Sequence, residues 1–272
     1  MLKRGLLCLA TVLSGMLGAQ TVVADLIMSA PPRESAEAGI KTYGPLADYL
    51  SKVTGEKIVY QSPANWGIYQ AYMTMGQYDL VFDGPHFVSW RDAHLKHVPI
   101  AALAGTLSFV IIARQDDAHV RGLADLSGKG VCGHAPPNLA TLTLYEQFQN
   151  PSRQPLLVET KGFDNAYQGL LAGKCSGTVL PTEVYRKLDG QAKRARVLFD
   201  SRVYPNQALT AGPRVPEAVR EQIKQALLSA SGKVAARPIA ESFGGSEFVS
   251  VTADDYKGYD GLLKNVWGFE GH

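Results

Sequence analysis

One local pattern occurs twice in this chain and constrains its fold more than any other feature. Ala71-Tyr72 leads to Gly76 and then to Asp79-Leu80-Val81-Phe82; Ala166-Tyr167 leads to Gly173 and then to Gly177-Thr178-Val179-Leu180. Each copy reads as a helix, a glycine stop and a short buried strand. The surroundings repeat too. Apolar runs at 26–28, 57–60 and 80–82 alternate with amphipathic stretches, and the same alternation returns with strands at 129–132, 156–159 and 178–180 and helices at 139–148 and 166–171. Strands that alternate with helices build parallel sheets covered by helices. Two such passages predict two similar α/β lobes rather than one large sheet.

Within the first passage, Gly44-Pro45 signals a helix start, with Leu46, Tyr49, Leu50 and Val53 on one face and Gly55 as the stop. Two extended segments, 107–114 and 197–210, are placed to carry the chain between lobes. After the second come Pro216, an amphipathic helix with Val219, Ile223 and Leu227, and a tail with Tyr256, Tyr259, Leu262, Leu263 and Trp267. The tail is expected to pack on the first lobe. The expected division is residues 25–106 with 206–272 as lobe one and 107–205 as lobe two. Two hinged lobes form a clamp for a small ligand.

The first 24 residues are read as a signal peptide rather than as part of the fold. Lys3 and Arg4 precede an apolar stretch at 6–17, and small residues end at Val22-Val23-Ala24, so cleavage is expected near Ala24. Cys8 stands too early in this leader to take a lipid anchor, and the expected product is a free periplasmic protein. The whole chain carries 27 Lys and Arg against 25 Asp and Glu; without the leader's two cations the counts are equal. A neutral chain without a basic run offers no electrostatic footprint for nucleic acid. Cys132 and Cys175 remain. An even number in an oxidising compartment points to a disulfide, with a thiol pair for a soft metal or metalloid as the alternative.

Ligands of open parallel sheets bind beyond the carboxyl ends of the strands, which directs attention to four loops. These hold Pro31-Pro32-Arg33-Glu34, Ser62-Pro63-Ala64-Asn65-Trp66, Asp83-Gly84-Pro85-His86-Phe87 and Gly133-His134-Ala135-Pro136-Pro137-Asn138. The Gly84-Pro85 turn is expected to aim Asp83 and His86 at the cleft. Asn138 is a good N-cap, and the amides of Leu139, Ala140 and Thr141 behind it make an anion-binding helix terminus. Trp66 is expected to wall a ligand. His94 and His97 are better explained by a polar turn than by a metal pair, and zinc-site spacings are absent. Without a Gly-x-Ser-x-Gly elbow or a nucleophile beside Asp83 and His86, an enzyme is the weakest reading.

The segments Tyr43-Gly44-Pro45-Leu46-Ala47-Asp48-Tyr49-Leu50, Gly76-Gln77-Tyr78-Asp79-Leu80-Val81-Phe82 with the Gly84-Pro85 turn, and Leu123-Ala124-Asp125-Leu126-Ser127-Gly128-Lys129 resemble the phosphate/phosphite/phosphonate substrate-binding proteins of ABC importers. The resemblance covers nearly all of the chain beyond the leader. It implies a type II periplasmic-binding-protein fold: two Rossmann-like lobes joined by a two-strand hinge, closing as a monomer on a small molecule. No cofactor, metal or covalent chemistry is implied. The partner is an ABC permease of the inner membrane or, alternatively, a sensor histidine kinase reading an oxyanion or arsenite. Tyr43 matches a binding tyrosine of the family. Val88 stands where phosphonate-binding members place a ligand-contacting tyrosine, and Asn138-Leu139-Ala140 stand where they place a Ser-Thr-Ser cradle. The expected contacts are Arg33, Tyr43, Trp66, His86, Asn138, Thr141 and Asn206, with Asp83 orienting His86 or meeting a cationic group.

Overall fold

The computed structural model describes residues 24–243 and 245–269, so the expected leader, including Cys8, lies outside it apart from Ala24. The first passage runs β1 (Leu26–Ser29), α1 (Ala36–Thr54), β2 (Ile58–Tyr60), α2 (Trp66–Thr74), β3 (Leu80–Asp83), α3 (Pro85–Leu95) and β4 (Val98–Leu103). Next come β5 (Thr106–Leu107), β6 (Phe109–Arg114), β7 (Gly130–Gly133), α4 (Leu139–Glu146), β8 (Leu156–Glu159), α5 (Phe163–Leu171), β9 (Gly177–Pro181), α6 (Thr182–Asp189) and β10 (Ala195–Asp200). The chain returns through β11 (Tyr204–Pro205) and β12 (Ala208–Ala211), then adds α7 (Glu217–Leu228), α8 (Ala230–Ala235), α9 (Arg237–Ser242) and β13 (Phe248–Ser250).

The strands form a six-stranded sheet, β13-β4-β12-β3-β1-β2, a five-stranded sheet, β10-β6-β9-β7-β8, and a two-stranded ribbon, β11-β5. In each large sheet the three strands of a repeat pair in parallel, β2-β1-β3 in one and β8-β7-β9 in the other. Each sheet then receives an antiparallel strand on its third repeat strand: β12 on β3, and β6 on β9. These two strands follow the outward and return crossings, so the two lobes are completed in the same way. The repeated strands β3 and β9 are buried at every residue, as a central strand with covered faces must be. Tyr204 pairs with Leu107 and Pro205 with Thr106 in the ribbon, which is the two-strand hinge.

Several local expectations are corrected. The first helix begins nine residues before Pro45, which lies inside it. Ser35 is the N-cap, its Oγ accepting the Ala38 amide at 3.3 Å. A residue preceding proline is normally driven out of the helical region by the clash of its Cβ with the ring, and Gly44 has no Cβ to clash. Val53 is exposed rather than part of the apolar face. The tail does not stay on one lobe. Leu263 and Phe269 pack with Trp66, Tyr69 and Phe87, whereas Tyr259 and Leu262 pack against Leu107, Phe109 and Tyr204. Trp267 is 80% exposed. Among the described residues no helix is long and apolar enough to cross a membrane.

Cys132 at the end of β7 and Cys175 just before β9 are joined in a disulfide with Cα atoms 5.7 Å apart. Gly169 of α5 lies directly over it, where a Cβ would meet Cys132 Sγ at 2.8 Å. The bonded sulfurs leave no thiol pair for a metalloid.

Candidate functional site

The loops after the parallel strands of both sheets converge on a water-sized cavity of about 20 Å³. The lobe of the six-stranded sheet supplies Arg33 from the loop after β1, Trp66 at the start of α2, Gly84 and His86 after β3, Gln207 before β12, and Phe243 after α9. The other lobe supplies Leu107, Phe109, Asn138, Leu139, Phe163 and Pro181. The wall is aromatic and apolar, interrupted by a few polar groups, and among the described residues it contains no hydroxyl side chain. A wider opening of about 1100 Å³ continues outward past Arg33 and Phe243.

The lobes touch around this cavity. His86 Nε2 lies 3.0 Å from the Pro137 carbonyl oxygen, and the Gly162 amide donates to the Arg33 carbonyl at 2.8 Å. The Trp66 and His134 rings approach to 6.5 Å, and His134 meets Phe163 edge-on at 4.6 Å. Five helices begin at residues of the wall: α2 at Trp66, α3 after Gly84, α4 after Asn138, α5 at Phe163 and α6 after Pro181. Their dipoles place partial positive charge there.

Among the described residues Arg33 is the only formal cation in the wall. Its guanidinium lies 5.1 Å from the Phe243 ring centroid, and Nη1 is buried without a hydrogen-bond partner. Glu34, its neighbour, is held above the usual carboxylate range by burial, with Arg33 opposing. Burial pushes His86 down to about 4; Asp83 and the Pro137 carbonyl pull it up, and Arg33 and Arg91 push it down. Burial and then Arg33 take His134 to about 3, against a hydrogen bond with the Thr160 backbone. Both imidazoles are neutral at pH 7.

Of the eight residues expected to contact a ligand, Arg33, Trp66, His86 and Asn138 line the cavity, and four do not. Tyr43 is buried in lobe one, stacked 5.1 Å from Tyr60 and 6.2 Å from Phe82. Burial and then Glu34 raise its phenol, which also lies near Arg33. Asp83 neither orients His86 nor faces a cationic ligand, because Arg91 clamps it through bonds of 2.8 and 2.6 Å and the Tyr69 hydroxyl donates to it. Thr141 Oγ1 donates to the His134 carbonyl at 2.5 Å. Asn206 Nδ2 donates to the Ala104 carbonyl at 3.1 Å, and its Oδ1 accepts the Gln207 amide at 2.9 Å. Trp90 belongs to the core against Phe269, and His97 is buried on Thr210. No cluster of metal-binding side chains occurs among the described residues.

Gln207, Phe163 and Phe243 were missed. Gln207 adjoins the expected Asn206, and a slip of one residue in an extended segment reverses which side chain faces the cleft. Phe163 follows β8 and obeys the same strand-end rule as the four loops singled out. Phe243 comes from the C-terminal segment and had no signal.

Two α/β lobes, a two-strand hinge and a cavity shared between the lobes define a protein of the type II periplasmic-binding class. A family profile described as ABC transporter, phosphonate, periplasmic substrate-binding protein matches residues 28–256. The chain belongs to that family of periplasmic substrate-binding proteins. Among curated proteins it is similar to the phosphate-import protein PhnD of Mycolicibacterium smegmatis, 29% identical over 137 residues. The match spans 46% of this chain and 42% of that protein. Among solved structures it is similar to PhnD1 from Prochlorococcus marinus in complex with methylphosphonate, with TM-score 0.71 and 14% identity over 89% of this chain and 97% of that one. A binding-protein component of a phosphonate ABC transporter from Pseudomonas aeruginosa gives TM-score 0.68 and 13% identity, over 85% and 82% of the two chains. A Xanthomonas citri protein bound to ATP gives TM-score 0.68 and 12% identity, over 91% and 97%. At these identities the structures speak for the fold.

Proposed function

We propose that the protein is the exported solute receptor of an ABC importer, capturing a small phosphorus oxyanion or phosphonate between its lobes and releasing it unchanged to a membrane permease. The observation that carries this reading is Arg33. Among the described residues it is the one cation lining this interlobe cavity, its Nη1 is buried without a protein partner, and five helices begin at the same wall. Arg33, Trp66, His86 and Asn138, together with Gln207, are the contacts in this reading. Residues 25–106 with 206–272 make one lobe and 107–205 the other, with Tyr259 and Leu262 of the tail seated on the second, and the lobes part about the β5–β11 ribbon to admit anything larger than water. Residues 1–24 are the cleaved leader, and the receptor is a monomer. Asp83, committed to Arg91, is not free to act with His86 as a catalytic pair, which supports binding without turnover.

A thermal-shift titration of residues 25–272 with phosphate, phosphite and methylphosphonate tests the reading. Ligand at 100 times Kd stabilises the native state by about 2.7 kcal/mol. For a chain of this size that raises Tm by roughly 5–10 °C. No shift with any of the three refutes the phosphorus-oxyanion assignment.

A further inference from the structure

The cavity carries information about the protonation state of its ligand. His86 Nε2 lies 3.0 Å from the Pro137 carbonyl oxygen, an atom that only accepts. The proton of the neutral imidazole is therefore on Nε2, and Nδ1 presents a lone pair. That nitrogen is buried and has no partner. Gly84 flanks it: a Cβ there would lie 3.1 Å from Nδ1 and 3.0 Å from Cε1. The Gly84 backbone, with φ −76° and ψ 164°, suits any residue, so the missing side chain serves space and not conformation.

The charges around the imidazole agree. From β3 comes Asp83 and from its own helix Arg91, and these two neutralise each other. The loop after β1 brings Arg33, with Glu34 beside it, and lobe two brings only the Pro137 carbonyl. Among the described residues the wall thus offers one cation, Arg33, whose Nη1 is a buried donor, and two buried acceptors, His86 Nδ1 and Gln207 Oε1, none of them with a partner. A dianion there would leave a desolvated charge uncompensated and would set an anionic oxygen against a lone pair. A singly charged oxyanion that keeps a proton satisfies Arg33 with its charged oxygens and an acceptor with its O–H.

We propose that the site selects the protonated monoanion of its ligand, with charged oxygens on Arg33 and the ligand O–H donating to His86 Nδ1. This rests on the oxyanion reading above and names the form bound. The test is calorimetric titration of residues 25–272 with inorganic phosphate, phosphite, methylphosphonate and sulfate between pH 6 and 8.5, where His86 stays neutral. Affinity for the phosphorus oxyanion that binds is expected to fall about tenfold per pH unit above that ligand's second ionisation. Sulfate, which has no proton to donate, is expected to bind at least 100-fold more weakly. His86→Gln, whose amide presents either polarity, is expected to flatten the pH dependence. Affinity that rises with pH, sulfate binding as tight as phosphate, or an unchanged profile in a folded H86Q protein overturns the selection. Failure of all the phosphorus oxyanions at every pH overturns the oxyanion reading and this proposal with it, whereas binding with the wrong pH dependence overturns this proposal alone.

Discussion

Acidification should destabilise this protein well before its carboxylates titrate. Burial is the leading influence on three imidazoles, setting His86 at about 4 and His97 and His134 at about 3, against an ordinary value near 6.5. Between those limits the unfolded chain binds three protons that the native chain does not, so stability falls as pH falls through 6.5. Each group loses about 1.4 kcal/mol per pH unit, hence about 2 kcal/mol by pH 5 and about 6 kcal/mol for the three. Glu34 acts in the opposite sense, since its raised carboxyl takes up a proton more readily in the native state. Urea unfolding at pH 7.5, 6.5, 5.5 and 5.0 measures the net effect, with a limiting slope near 4 kcal/mol per pH unit. His97 stands apart from the lobe contacts, on Thr210 and against Gly212. His97→Gln should lower the slope to about 3 kcal/mol per pH unit whatever it does to stability at pH 7.5. Unfolding free energies that agree within about 1 kcal/mol between pH 7.5 and 5.0 refute the burial argument, because only groups already solvated or already charged behave that way.

Three further outcomes are expected. Asp83→Ala strands the buried Arg91 guanidinium and should cost about 3–5 kcal/mol by calorimetry, most of it returned when Arg91→Met is added; a double variant as unstable as the single one refutes the ion-pair account. Replacing Cys132 and Cys175 together with serine opens a loop of sequence separation 43 and should cost about 4 kcal/mol in denaturant, while the wild-type protein shows no titratable thiol before reduction. Arg33→Ala removes a charge-assisted bond of about 1.5–3 kcal/mol, weakening oxyanion binding by about 10- to 150-fold, and an unchanged Kd removes Arg33 from the site.

What was legible in the sequence is what repeats or obeys local rules. The two strand-helix-strand passages, the crossing segments and the Asn138 cap depend on short-range patterning, and each is present. The helix start at Ser35 was hidden because Gly44-Pro45 mimics a start, and only the missing Cβ of Gly44 lets the helix run through it. The tail was misjudged because its apolar residues have two lobes to choose from, and no local pattern says which.

The site residues divide along a physical line that residue type alone does not draw. Asp83 and His86 share one turn, yet Asp83 is taken by Arg91, two turns along α3, and His86 reaches across to Pro137. Thr141 spends its hydroxyl on His134 and Asn206 spends its amide on Ala104, each within its own lobe, while the Tyr43 ring packs on Tyr60 with its buried hydroxyl unpartnered. Arg33, Trp66 and His86 instead meet the opposite lobe: the Arg33 carbonyl accepts from Gly162, Trp66 faces His134, and His86 meets Pro137. Arg33 and His86 each keep a buried polar atom without a partner as well. Asn138 is the exception, its oxygen committed to the Ala140 amide, which leaves only its NH2 to face the cavity. A polar group satisfied within its own lobe stabilises that lobe whether the cleft is open or closed. A group left over at the lobe edge is satisfied only on closure, so its unmet hydrogen bonds make closure depend on what the cavity holds.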